Sequence, residues 1–377
     1  MTSPLGLYIH WPYCARICPY CDFNVYRARG AESAPLVAAM LADLKAWRER
    51  LGPRRLVSLH FGGGTPSLME PEDIARIIAA ADDLFGLVAG AEIGLEANPM
   101  EVARFAGIKA AGVERLSIGI QALNDHDLNV LGRDHGRAAA IKAVETAQSL
   151  FERVSADFIY ARPGQSLRDW QGEWQEALSW GLGHYSCYQL TYEPGTAFTK
   201  KAERGAIVPA DDDLTADMFT LTQDLGAAHG LAAYEISNHA RGDDQRSRHN
   251  QLYWTGADWI GIGPGAHSRW GRPLYGGRQG ASAVLTPGGY IKGPSQTFEA
   301  VTALEDAQER ILMGLRLKEG LNRASLRAAT GHDVDPEALA RFIAQKLLID
   351  QDETVRLTPQ GRLYADRLAM ELAPAGD

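Results

Sequence analysis

Between residues 6 and 229, short apolar runs rich in β-branched and aromatic residues alternate with amphipathic stretches of helical period. The runs predict strands near 6–10, 55–61, 92–97, 115–121, 154–160 and 185–190. Helices are expected near 33–50, 71–86, 100–111, 136–151, 168–181 and 211–229. Gly112 follows the third of these, where a left-handed cap suits glycine. Six strand–helix repeats imply a parallel sheet wrapped by helices, a partial (β/α)6 barrel in an α/β fold. Parallel strands buried on both faces are normally apolar throughout. Here Ser117, Gly119 and Gln121 alternate with Leu116, Ile118 and Ile120, and Glu96 and Asp157 fall at matching places on neighbouring strands. Carboxylates facing inward need a polar partner, so the barrel interior reads as a binding site.

Past residue 270 the pattern changes. Residues 271–302 are rich in Gly and Pro and predict a linker or loop region after a barrel unit spanning 1–270. Residues 303–377 predict a small helical domain, with helices near 304–317, 323–330 and 336–346 and a hairpin before a last helix. That order resembles a winged helix.

A net charge of -9 and a pI near 5.6 lack the basic footprint of a nucleic-acid binder, so no nucleic-acid partner is expected. A cluster-sensing DNA-binding regulator is the sharper reading of the winged-helix pattern; a packing or partner-docking domain is the plainer one, and the acidic charge favours it. The N-terminus lacks the charged and apolar regions of a secretory signal, and no run reaches the length of a membrane span. A cytoplasmic protein is expected.

Three of the four cysteines fall within 10-HWPYCARICPYCDFN-24, at Cys14, Cys18 and Cys21. Structural zinc sites usually use two separated pairs of ligands, which this loop lacks. His10 lies on the first strand, and Cys187 reads as a small core residue. An iron–sulfur cluster fits better: three thiolates would leave a fourth iron open. A closed structural site is the competing reading.

C-x3-C-x2-C after a first strand, with an aromatic beside the last cysteine, resembles the radical S-adenosylmethionine (SAM) superfamily. The resemblance implies a [4Fe-4S] cluster on Cys14, Cys18 and Cys21, with SAM chelating the open iron. It further implies SAM contacts from Tyr8, from Gly63, Gly64 and Thr65 in 60-HFGGGTPS-67, and from Glu96, Gln121, Arg133 and Asp157, with Gln189 and His267 nearby. The carboxylates suit a ribose or a positive group, and Arg133 suits a carboxylate.

In 248-RHNQLYWTGADWIGIGPGAHS-268, His249 and Tyr253 are four apart and share a helix face. One reading is a helix turn that packs aromatics on the barrel; the other is haem, for which both residue types serve as axial ligands. H-N-x-x-Y-W followed by G-I-G-P-G-A-H is similar to the haem chaperones related to oxygen-independent coproporphyrinogen III oxidase. The oxidases carry another cysteine where this chain has Phe23. The resemblance therefore implies a haem chaperone, with haem bound through His249 and passed to acceptors such as respiratory haem proteins. A homodimer is a further expectation. The alternative is the oxidase activity itself. Trp11, Tyr13, Ala161 and Arg162 depart from the family pattern, and Arg162 adds a charge expected near the pocket mouth.

Overall fold

The computed structural model describes residues 4–28, 30, 33–272 and 277–375. Six parallel strands appear where the apolar runs predict them: β1 (Leu5–Trp11), β2 (Leu56–Gly63), β3 (Leu87–Ala97), β4 (Arg115–Gln121), β5 (Arg153–Tyr160) and β6 (His184–Gln189). Their order in the sheet is their order in the chain, as expected of successive βα units. Helices Ser33–Leu51, Pro71–Phe85, Arg137–Leu150, Leu167–Ser179 and Asp212–Ala228 cover the outside. The fold is a partial (β/α)6 barrel followed by a small C-terminal unit.

Register sets the lumen. Tyr8 pairs with His60, Glu96 with Ser117, Gly119 with Asp157 and Asp157 with Ser186. Side chains opposite one another in register share a face, so the polar positions of successive strands converge inside the barrel. The alternate positions, Leu95, Leu116, Ile118 and Phe158, are fully buried against the helices.

Two expectations need correction. The helix expected over 100–111 is a 3-10 turn, Pro99–Arg104, followed by Phe105–Ala110. Asn98 caps it by accepting from the Met100 amide. Gly112 then takes φ +106, as its place after the helix predicts.

The segment 271–302 is not a loop. Asp258–Ile262 adds a seventh parallel strand beside β1, and His267–Arg272, Gly277–Ala283 and Gln296–Val301 extend the sheet antiparallel. Residues 273–276 of that segment lie outside the described residues. Its glycines hid the strands from the pattern, yet they have a packing cause. A Cβ on Gly280 would lie 2.6 Å from Glu299 Oε1 and 2.7 Å from Arg269 Nη1.

The C-terminal unit has its own apolar core around Ile311, Leu339, Val355 and Leu372. It comprises helices Ala303–Gly314, Arg323–Thr330, Pro336–Ala344 and Ala365–Leu372 and a three-stranded sheet of Leu321–Asn322, Thr354–Leu357 and Leu348–Gln351. Thr302 and Glu305 form a capping box at its entry. Among the described residues, no helix is long and apolar enough to cross a membrane.

Candidate binding cavity at the open end of the barrel

A cavity of about 980 Å³ opens at the C-terminal ends of the strands. Eleven residues singled out by sequence line it: Cys14, Cys18, Cys21, Gly63, Gly64, Thr65, Glu96, Gln121, Arg133, Asp157 and Gln189.

The cysteine loop leaves β1 and is tied to the barrel at its base. Tyr13–Cys14 pairs with Tyr26–Arg27, and the Tyr26 amide donates to Pro12 O at 2.8 Å. Trp11 and Tyr13 pack edge to face at 5.4 Å beneath the loop. Cys14 is buried, Cys18 and Cys21 are half-buried, and all three are free thiols. Burial pushes the Cys21 thiol up to about 11. Arg133 lies beside the loop: its Nη1 donates to Cys18 Sγ at 3.5 Å and its Nη2 to Gly119 O at 3.1 Å. Among the described residues, no three His, Cys, Asp or Glu side chains converge on one ion's position. A four-iron cube takes each thiolate on a separate iron, so the thiols suit a cube better than a single ion. His10 is no fourth ligand, because Asn24 O engages its Nε2 at 2.9 Å and the Tyr8 hydroxyl its Nδ1 at 3.2 Å.

The glycine loop packs directly on this base. Gly64 N donates to Trp11 O at 2.7 Å and Thr65 N to Tyr13 O at 2.9 Å. A Cβ on Gly64 would lie 2.7 Å from Tyr13 O, and one on Gly63, at φ +105, would lie 2.6 Å from the His10 ring. Glycine is therefore required for loop-on-loop contact before any ligand is considered.

Deeper in, Glu96 accepts from Gly63 N and meets His60 Nε2, both at 3.3 Å. Asp157 accepts from Ser117 Oγ at 3.0 Å, yet no cation is paired with it among the described residues. Burial, then the charge of nearby Glu96, pushes its carboxyl up to about 6. Gln121 ends β4 in the left-handed region at φ 67. Its Oε1 and Arg133 Nε are buried without partners. Buried polar atoms usually have partners, so these two mark where a polar ligand fits. The donor set thus fits both groups: soft thiolates for a cluster, and an unpartnered amide oxygen, a free guanidinium Nε–H and a carboxylate without a cation for an amino-acid and ribose-bearing cofactor.

Three expected residues are not brought to the cavity wall. Tyr8 lies beneath it in the lumen, its ring 6.0 Å from that of His249. His267 is exposed on the strand beyond Asp258–Ile262, near enough to His10 to help lower that residue's pKa. His249 sits at the opposite end of the barrel on helix Arg248–Trp254, only 2% exposed. Its Nδ1 meets Ser58 Oγ at 3.1 Å, its Nε2 meets the Tyr253 hydroxyl at 2.8 Å, and its ring stacks on His60 at 4.7 Å. Both nitrogens are engaged, so the packing reading of this helix describes the structure, and the axial-ligand reading has no free nitrogen to use.

Arg162 also differs from expectation. It is 1% exposed rather than at the mouth, ion-paired with Glu173 at 2.5 Å and Asp127 at 2.8 Å. Sequence reasoning missed Tyr188, Arg316 and Arg362, which also line the cavity. The arginines arrive through packing of the C-terminal unit, for which no local sequence signal exists.

Comparison with known proteins agrees with this geometry. Residues 8–172 match the Radical SAM superfamily and residues 301–364 the HemN C-terminal domain. The protein named heme chaperone HemW from Escherichia coli is 35% identical, covering 97% of each chain. That of Mycobacterium tuberculosis H37Rv is 35% identical over 98% of this chain and 95% of its own. The mouse protein named radical S-adenosyl methionine domain-containing protein 1, mitochondrial, is 34% identical over 99% of this chain and 88% of its own. The solved structure of E. coli coproporphyrinogen III oxidase (HemN) superposes with a TM-score of 0.82 at 20% identity, covering 99% of this chain and 90% of the oxidase, a likeness of fold. With identities of this size over nearly the full length of both chains, this chain belongs to the HemW family of radical SAM proteins.

Proposed function

We propose that this chain is a haem chaperone. It binds haem and a [4Fe-4S] cluster with SAM beside it, and passes haem to acceptor proteins. The single observation that carries the reading is the cavity itself: about 980 Å³, with three free thiols, unpaired buried polar atoms and an unpaired carboxylate on its walls. That volume lies at the upper end for one small-molecule site and suits two ligands side by side. The bacterial relatives named heme chaperone support the haem assignment.

Cys14, Cys18 and Cys21 would hold the cluster. When bound, cluster and SAM supply one-electron chemistry at the sulfonium. The protein's own groups bind and orient. Arg133 places a cation beside Cys18, Gln121 Oε1 offers an acceptor, and Glu96 fixes the glycine loop through Gly63 N. Asp157 offers a carboxylate at the lumen wall. Free thiols beside one another suit a reducing compartment such as the cytoplasm.

Haem titrated into the anaerobically reconstituted protein, followed by absorbance, tests the reading. Saturable one-to-one binding, transferable to an apo-haem protein, is expected. Robust conversion of coproporphyrinogen III to protoporphyrinogen in the same preparation would contradict it and favour the oxidase.

A further inference from the structure

One wall of the cavity comes from the seam with the C-terminal unit and carries Arg316 and Arg362. Arg362 is half-buried, and that burial pulls its pKa down. Its Nη2 donates to the Glu235 carbonyl at 2.5 Å and to Gln223 Oε1 at 3.4 Å. No carboxylate lies within ion-pair distance of it among the described residues, and its Nε and Nη1 have no partner there. Glu235, the nearest acid, is already engaged. Its Oε1 accepts from Ser237 N, Asn238 N and Asn238 Nδ2 at 2.5–2.7 Å, and its Oε2 from Arg316 at 3.3 Å. Asp212 and Asp213 also line the cavity but form no pair with Arg362.

Arg316 adds a second cation. It reaches Asp366 at 3.5 Å, its Nε is buried without a partner, and its guanidinium lies 4.9 Å over the Trp254 ring. Trp254 closes the H-N-x-x-Y-W motif and, without lining the cavity, backs the Arg316 guanidinium that does. Two like charges lining one wall repel. Holding them together in a partly dry wall is costly unless an anion arrives. Three large apolar or aromatic side chains, Tyr188, Leu363 and Tyr364, are 42%, 37% and 49% exposed and line the same space.

We propose that Arg362, with Arg316 held by Trp254, is the subsite for a carboxylate of the bound macrocycle, so that a haem propionate docks at the seam. This rests on the haem reading above. Guanidinium pairs planar carboxylates through parallel donors, and a macrocycle with ionised side chains on one edge presents both an apolar face and a carboxylate for Arg362, which has none, whereas Arg316 already meets Glu235 and Asp366. Docking there ties the ligand to both structural units at once.

Iron protoporphyrin IX and its dimethyl ester, titrated in parallel, separate the two claims. Wild type should bind the free acid more tightly than the ester by on the order of tenfold to a hundredfold, the range of a charge-assisted hydrogen bond. Arg362→Gln should erase most of that preference while leaving ester affinity unchanged, and Arg316→Gln should erase part of it. Arg362→Lys should retain some. Equal affinity of wild type for acid and ester overturns the subsite but leaves haem binding standing. So does an Arg362→Gln variant that weakens both ligands alike. Absence of binding to either form by wild type overturns the haem reading and the subsite together. Should Arg362→Gln fail to fold, the wild-type ratio and Arg316→Gln decide.

Discussion

Strand β3 carries two glutamates, Glu92 at its middle and Glu96 near its end, and their surroundings differ in kind. Glu92 lies at the floor, closed by helix Arg248–Trp254. It accepts from the amides of Arg248 and His249, both at 3.1 Å, and pairs with Arg153 at 2.8 Å. Despite burial, Arg115 and Arg153 hold its carboxyl below the usual range. Toward the mouth, Glu96 and Asp157 face the cavity, and burial, then the charge of Glu96, pushes Asp157 up. The same residue types are consumed by structure at one end and left available at the other. Availability, not residue type, distinguishes a binding site from a polar core.

The largest effect should come from breaking the mouth. Cys18→Ala should abolish retention of about four irons after anaerobic reconstitution; iron and sulfide counts check this, and stoichiometric zinc in wild type would contradict it. At the floor, Glu92→Gln should destabilise by about 3 kcal/mol, because it removes the carboxylate facing the buried Arg115 and the half-buried Arg153. Glu92 has a depressed folded pKa. Its contribution is therefore present above the unfolded carboxyl range and lost as pH falls through the folded value, so wild type and variant should converge in acid. Denaturant melts at pH 7 and pH 3.5 measure this.

Asp157→Asn should show the opposite sign. A carboxyl raised to about 6 costs stability progressively as pH rises from the ordinary carboxyl value to about 6, and in full above it. The amide should thus stabilise the ligand-free protein by about 1–3 kcal/mol at pH 8 and leave it unchanged at pH 4. A loss of stability at pH 8 would show that Asp157 is already compensated. The smallest effect concerns Ala161, just past β5, which takes φ 58 where the family pattern carries glycine. Ala161→Gly should raise the melting temperature slightly, by relief of up to about 1 kcal/mol of backbone strain.

Much of this contrast was legible in the sequence. Period-two alternation placed Glu96, Ser117 and Asp157 on one face, and the register confirms it. The spacing of the cysteines after β1 located the mouth. What the sequence does not carry is which end of the barrel a polar residue occupies relative to its partners. His249 and Tyr253 share a helix face, as their spacing predicts, but that face turns onto Ser58 and His60 instead of a ligand. Arg162 looked like a surface charge because Glu173 and Asp127, its partners, are distant in sequence. The strands of residues 267–301 were hidden because close cross-strand packing selects glycine, the residue that otherwise signals a loop.

One titration tests the central claim that ligands bind at the mouth and not at the floor. Haem is added to reconstituted wild type, Arg362→Gln and His249→Ala, with affinity and absorption maximum recorded. The account predicts weakened binding in Arg362→Gln and an unchanged absorption maximum in His249→Ala. Unaltered binding in Arg362→Gln together with a lost or shifted haem band in His249→Ala would contradict it.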